Sequence, residues 1–166
     1  MKKPWGNPEF WLAIFLALLI PAIWVLFYPH SPDALRLGDH DTYHWFAWTG
    51  AGYIALTTPL FFYLKRRYKT RYQLIMRIHM FGNILALLVL AFHFSFQVGS
   101  PPVLGNYTHL GLTMYTALLL SLVTGILLRY HLSGKYWPAS RYLHVSLVTA
   151  FYLIAIFHIL HGLDVI

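Results

Sequence analysis

Four histidines at a repeated spacing are the residues of this sequence most suited to chemistry. His79 and His93 lie in one apolar segment, His144 and His158 lie in another, and each pair is separated by 14 residues. At about 100° per residue, 14 steps fall roughly 40° short of four full turns, so both rings of a pair point to nearly the same face of a helix. At about 1.5 Å per residue the two rings lie roughly 21 Å apart along the axis. Each segment therefore offers imidazoles at two depths.

These imidazoles suit iron porphyrins. The two segments run in the same direction in the predicted topology, so His79 comes level with His144, and His93 comes level with His158. One imidazole above the iron and one below it are the ligands of a six-coordinate b-type haem. The sequence contains no cysteine, which excludes thiolate ligation and covalent c-type attachment. We therefore predict two haem b groups, with His79 and His144 as the axial iron ligands of one and His93 and His158 as those of the other.

The remaining histidines have weaker assignments. His161 is the alternative iron ligand to His158, but it lies 17 residues from His144 and about 100° off the shared face. The alternative for any single histidine is an interhelical hydrogen bond or a position at the membrane interface. Interfacial placement is the default for His44, His109 and His131, which lie near segment ends. Contact with quinol or substrate is the sharper alternative for His44, His109 and His161.

Three further residues are predicted to contact the haem. Arg77 and Arg141 come two or three residues before the ligands His79 and His144, where a haem propionate would emerge and pair with a guanidinium. Their alternative role is membrane topology alone. Gly82 continues the face of His79, and a small residue leaves room for a porphyrin, although small residues also allow close helix packing in membranes.

Five apolar segments must position these residues. The chain has 166 residues, of which 58% are hydrophobic and only 10% charged, which excludes an ordinary soluble domain. Each segment spans roughly 28 to 32 Å as a helix, which matches a hydrocarbon core of about 30 Å. We predict an all-α integral membrane protein, a bundle of five transmembrane helices that forms a single domain over residues 1–166. The predicted spans are residues 10–28, 45–64, 78–98, 110–128 and 142–160.

The charges predict the orientation of the bundle. Alternate threading of five spans places every basic residue except Arg36 on one side, which the positive-inside rule assigns to the cytoplasm. The N-terminus is then cytoplasmic and the C-terminus lies outside, as expected for a prokaryotic inner-membrane protein. Topology accounts for the net charge of +7, so we do not expect nucleic-acid binding. His79 and His144 lie near the cytoplasmic face in this topology and are called the inner pair; His93 and His158 are called the outer pair.

The loop before the second span contains a second cluster of polar residues. Asp39, His40, Asp41 and His44 include ligand types that suit a metal ion. A helix cap formed by Asp41 and Thr42 is the favoured interpretation. The sequence assigns no role to His30.

The two histidine-bearing segments resemble a known family. RIHMFGNILALLVLAFH (residues 77–93) and LHVSLVTAFYLIAIFHILHG (residues 143–162) resemble the transmembrane domain of the ferric reductase and NADPH oxidase superfamily. The resemblance implies that the inner pair binds one haem and the outer pair the other. Members of that superfamily usually have six spans, and its reductases continue into a flavin- and nicotinamide-binding domain, whereas this sequence has no glycine-rich dinucleotide loop. The core is also similar to the haem-bearing helices of quinol-oxidising cytochrome b, and the five-span count to the cytochrome b subunits of respiratory nitrate reductases and hydrogenases.

These features together predict transmembrane electron transfer. We expect the membrane cytochrome b subunit of a respiratory or reductase complex, surrounded by lipid and served by redox partner proteins or quinone at both membrane faces. An electron-transfer subunit is favoured over a complete enzyme, because the sequence contains no flavin motif and no thiol. Two alternatives stay open: a self-contained quinol-dependent reductase of an external acceptor, and a haem-free membrane anchor subunit.

Overall fold

A computed structural model of the chain describes residues 4–27, 36–37, 40–99 and 107–162, with side chains described for residues 4–27, 44–96 and 110–160. This part of the chain forms five α-helices: α1 (Pro8–Phe27), α2 (Thr42–Arg67), α3 (Tyr72–Gly99), α4 (Tyr107–Arg129) and α5 (Trp137–Gly162). Short 3-10 helices precede α1, α3 and α5: Pro4–Gly6, Lys69–Arg71 and Gly134–Tyr136. The predicted all-α class is confirmed. Two strands of two residues each, β1 (Arg36–Leu37) and β2 (His40–Asp41), pair antiparallel and were not predicted.

Four helical segments are long and apolar enough to cross a membrane: Pro8–Phe27, Lys69–Phe96, Leu110–Arg129 and Gly134–Leu160. They indicate an integral membrane protein. The predicted span at residues 45–64 is helical as well, since it lies within α2. At about 1.5 Å per residue, α2 is roughly 39 Å long, which is ample for a bilayer. Its histidine, threonines and glycines make it less apolar than the other four.

The start of α1 shows how local sequence defines a helix end. The Asn7 side-chain oxygen accepts a hydrogen bond from the Glu9 backbone N–H at 2.9 Å, which makes Asn7 the N-cap. Pro8 occupies the first helical position, where its missing N–H costs nothing. Glu9 then adds a negative charge at the positive end of the helix dipole.

The chain divides into two compact units, of which one comprises residues 11–100. Within it α2 packs against α3 as an antiparallel pair, called here the first hairpin. The helices approach closely at Gly50, where a Cβ atom would lie 2.7 Å from the Leu90 side chain and 2.8 Å from the Ala86 carbonyl oxygen. Phe27 of α1 packs edge-on against Phe92 of α3, with ring centroids 5.1 Å apart. Several side chains form the buried core of this hairpin: Ile54, Phe61, Met80, Ile84, Leu87, Leu90 and Ala91.

The other unit comprises residues 1–10 and 101–166. Within it α4 packs against α5, called here the second hairpin. At the end of α4 the Leu132 N–H donates to the Leu127 carbonyl at 2.9 Å and the His131 N–H donates to the Leu128 carbonyl at 3.4 Å. These bonds form a Schellman motif, and His131 takes the left-handed conformation (φ 54°) that such a helix end requires. The exposed His131 thus turns the chain towards α5.

Candidate functional site

All four predicted iron ligands are half-buried side chains on two helices. His79 and His93 lie on α3, in the first hairpin, and His144 and His158 lie on α5, in the second hairpin. In each hairpin the inner histidine is nearer the basic turn and the outer histidine is nearer the open end. The level pairing of one histidine from each hairpin stays a prediction.

His79 is held between an aromatic ring and an amide. The Phe61 ring of α2 stacks on the imidazole with centroids 4.1 Å apart and an interplanar angle of 19°. On α3 itself, the Asn83 amide nitrogen lies 3.1 Å from His79 Nδ1. Asn83 is four residues further on, which places it on the same helix face, one turn away. The orientation of the His79 ring is therefore defined by side chains on both helices of the first hairpin.

A cation lies close to this stack. The Lys65 ammonium is positioned over the Phe61 ring, 4.8 Å from its centroid, and over Phe62 at 4.3 Å. Such contacts are favourable because the face of an aromatic ring is electronegative. Lys65 therefore brings positive charge to the end of the first hairpin that carries His79.

His93 lies beside a second histidine. The rings of His44 on α2 and His93 on α3 have centroids 6.0 Å apart and an interplanar angle of 51°. His44 is half-buried within the first hairpin, close to the predicted outer ligand.

His144 is held by backbone and side-chain oxygens of α4. Its Nδ1 lies 3.0 Å from the Ser121 carbonyl oxygen and 3.1 Å from Thr124 Oγ1. A carbonyl oxygen only accepts hydrogen bonds, so Nδ1 must carry the proton. In the neutral imidazole the lone pair is then on Nε2, the form in which a histidine ligates a metal while its other nitrogen donates to an oxygen.

Glycines face both histidines of α5. A Cβ atom at Gly125 would lie 3.3 Å from His144 Cε1, and one at Gly111 would lie 3.8 Å from His158 Cε1. The two glycines are themselves 14 residues apart, and the contacts run in opposite order along the two antiparallel helices. The second hairpin therefore repeats one arrangement at two depths: an imidazole on α5 opposite a residue of α4 that has no side chain.

The other predicted haem contacts lie in different surroundings. A Cβ atom at Gly82 would meet the hydroxyl of Tyr53 on α2, which is the helix-packing alternative for this glycine. Arg77 and Arg141 are both exposed, and the Arg141 guanidinium lies over the Trp137 ring, 5.6 Å from its centroid. The structure thus places both arginines at the surface near the hairpin turns, two or three residues before the inner pair.

Several predictions concern residues outside the described side chains. His30 and Asp39 lie outside the described residues altogether, and the backbone alone is described for the other positions in question: His40, Asp41, Thr42, His109 and His161. The α2 helix begins at Thr42, next to the predicted cap residues. Among the side chains that are described, no three His, Asp or Glu residues come together as a metal site. A haem held by two imidazoles does not need such a cluster.

Sequence reasoning missed the partners of the histidines. Asn83 had a detectable signal, because an amide four residues after a histidine lies on the same helix face. Gly111 and Gly125 had another, because their spacing equals that of the histidines. Thr124 had none, since its contact with His144 depends on the register between two helices.

Comparison of the chain with protein-family models, with curated proteins and with solved structures yielded no match.

Proposed function

We propose that the protein is a di-haem cytochrome b of the membrane, which carries electrons from one bilayer face to the other through haem b bound at the inner and outer pairs. Haem b supplies an iron that alternates between ferric and ferrous states and so accepts and releases one electron. The observation that carries the proposal is the repeated arrangement on the second hairpin, where His144 and His158 each face a glycine at matching spacing.

His144 fits the chemistry of an axial ligand. The Ser121 carbonyl fixes the proton of His144 on Nδ1, which leaves Nε2 able to ligate iron. Gly125 and Gly111 leave space beside the rings that any larger side chain would fill. Apolar side chains exposed along α5 suit lipid or the faces of a porphyrin: Leu143, Val145, Leu153, Ile156, Phe157 and Ile159.

Each group of residues has a separate task in this proposal. The four histidines bind iron at two depths, roughly 21 Å apart along each helix. The apolar helices would exclude water from the haem groups. Arg77 and Arg141 neutralise propionates near the basic turns, and a positive charge there also raises the reduction potential of the nearby haem.

The membrane arrangement we propose has five spans, with α2 as the fifth. The α2 helix packs against α3 along its length and carries His44 beside His93, so it belongs to the same layer as a helix that is apolar enough to span. The basic hairpin turns then face the cytoplasm by the positive-inside rule. The N-terminus lies on the same side, and a prokaryotic inner membrane is the setting we propose.

The proposed partners follow from the chemistry. A haem iron held by two imidazoles has no open position for a substrate and passes single electrons, so the protein must receive and deliver electrons through redox proteins or quinone at the two faces. A subunit of a respiratory or reductase complex meets this requirement. The competing function is a haem-free membrane anchor, in which the hydrogen bonds of His79 and His144 would serve packing alone.

The experiment that tests this function measures electron transfer across a membrane. The purified chain is reconstituted with haem into vesicles that contain ferricyanide, dithionite is added outside, and valinomycin with potassium balances the charge. We expect ferricyanide to be reduced faster than in empty vesicles, and His79→Ala and His144→Ala to return the rate to that background. His131→Gly is the matched control, because His131 is an exposed turn residue, and it should keep the full rate. Equal rates in native and empty vesicles would refute the proposal.

A further inference from the structure

The two inner histidines differ in what holds their Nδ1 atoms. The Nδ1 proton of His144 has two oxygen acceptors on α4, the Ser121 carbonyl and the Thr124 hydroxyl. The Thr124 hydroxyl donates its own proton to the Leu120 carbonyl at 2.9 Å, so its lone pairs point away and can accept from the imidazole. The Ser121 carbonyl, the Thr124 hydroxyl and the Leu120 carbonyl, all on α4, thus favour the tautomer of His144 that carries its proton on Nδ1.

His79 has a different neighbour. The Asn83 carboxamide lies 3.1 Å from His79 Nδ1 through its nitrogen. A carboxamide carries a donor and an acceptor, so its nitrogen pairs with a bare Nδ1 and its oxygen pairs with an Nδ1 that carries the proton. The second pairing is the one that leaves the Nε2 lone pair for a metal. The Asn83 side-chain oxygen is buried and has no hydrogen-bond partner among the described residues.

We propose that Asn83 and Thr124 are positioning residues that tune the inner haem, each by accepting a hydrogen bond from the Nδ1–H group of a ligating histidine. With its Oδ1 turned towards the ring, Asn83 accepts the His79 Nδ1 proton, which leaves Nε2 for the metal. This inference rests on the proposed haem function.

The two hydrogen bonds predict a direction for the reduction potential. An acceptor on Nδ1–H makes the imidazole a stronger electron donor, which favours ferric over ferrous iron and lowers the potential. Removal of the acceptor raises the potential, and a charged acceptor lowers it further. Asn83→Leu and Asn83→Asp therefore shift the potential in opposite directions. Asp has nearly the volume of Asn, and Leu keeps the branched shape of Asn but is larger.

The test is a potentiometric titration of the haem-loaded protein, followed by optical and electron paramagnetic resonance spectra. We expect Asn83→Leu to raise the inner-haem potential by about 59 mV, which for one electron is a tenfold change in the equilibrium between ferric and ferrous iron. Asn83→Asp should lower it. Thr124→Val should raise it less, because the Ser121 carbonyl still accepts. Thr116→Val is the matched control, since Thr116 on α4 bonds the Leu112 carbonyl, and should change nothing.

The outcomes separate this inference from the proposed function. Haem bound with the same potential in both Asn83 variants and in Thr124→Val would overturn the inference and leave the cytochrome proposal standing. Shifts of the same sign in both Asn83 variants would also overturn it, because general disturbance of the site explains them. If neither Asn83 variant retains the inner haem, the inner-haem potential of Thr124→Val is compared with that of Thr116→Val. A higher potential in Thr124→Val supports the inference, and equal potentials overturn it. A native chain that binds no haem refutes the function itself.

Discussion

The first and second hairpins surround their histidines with different kinds of groups. Both are antiparallel helix pairs with a basic turn, and both carry two half-buried histidines 14 residues apart on their second helix. In the first hairpin the neighbours of the histidines are side chains: Phe61 and Asn83 at His79, and His44 at His93. In the second hairpin the neighbours include a backbone carbonyl and two glycines, placed opposite His144 and His158.

This difference determines which substitutions each hairpin tolerates near its histidines. A backbone carbonyl cannot be removed by a point mutation. The spaces beside Gly111 and Gly125, called here the glycine notches, would be filled by any side chain. The second hairpin therefore tolerates little added volume beside its histidines. The surroundings of His79 in the first hairpin are adjustable, because aromatic stacking and an amide can be altered without moving the backbone.

The largest expected effect tests whether the hairpins pair as we propose. Alanine at His79 or His144 should remove the same haem, and alanine at His93 or His158 should remove the other, because each haem needs both ligands. Haem content and reduced spectra of the four variants measure this. The control His131→Gly should keep both haems. Loss of one and the same haem in His79→Ala and His93→Ala would contradict the assignment.

The next effect tests the glycine notches of the second hairpin. Valine at Gly125 forces atoms into a space where a Cβ atom already lies 3.3 Å from His144, at a cost of about 1–3 kcal/mol for overpacking. The inner-haem occupancy should fall severalfold. Valine at Gly111 should lower the outer-haem occupancy instead. Gly52→Val is the control, since a Cβ atom there meets nothing within 4 Å; equal losses in all three variants would show that the notches have no specific role.

A third effect tests the close helix contact of the first hairpin. A methyl group at Gly50 would lie 2.8 Å from the Ala86 carbonyl oxygen, so Gly50→Ala should destabilise the protein by about 1–3 kcal/mol despite the better helix propensity of alanine. Gly52→Ala, on the same helix, should be neutral or stabilising by up to about 1 kcal/mol. Unfolding in detergent compares the two variants. Equal melting temperatures would argue against the described approach of α2 and α3.

The smallest effect concerns the end of the second hairpin. Arg129 and Glu9 form an ion pair with 3.8 Å between nitrogen and oxygen, and both side chains are partly exposed. Glu9→Gln should therefore cost less than about 1 kcal/mol. Burial raises the pKa of Tyr130, while Arg129 lowers it and Glu9 raises it. The substitution should lower the pKa of Tyr130, as measured by tyrosinate absorbance with Tyr130→Phe as the blank; an unchanged pKa would show that the carboxylate is not near the phenol.

Much of the fold was predictable because helix formation in a membrane is a local property. The described residues of all five apolar segments are helical, and the spacing of the histidines alone predicted that each pair lies on one helix face. The apposition of Thr124 and His144 was not predictable, since it depends on how many residues the turn between α4 and α5 consumes. The strands β1 and β2 were missed because two residues carry no periodic pattern. The sequence shows Gly111 and Gly125 at the same 14-residue spacing as the histidines, but small residues are so common at membrane helix contacts that this repeat did not predict a site.

The most direct measurement is the number of haem groups per purified chain. Haem b is extracted and counted against protein concentration, and the spectrum of the reduced protein is recorded. The account predicts two haems for every chain, both low-spin with two imidazole ligands. A chain that is colourless, or one that takes up a single haem at saturation, would contradict it.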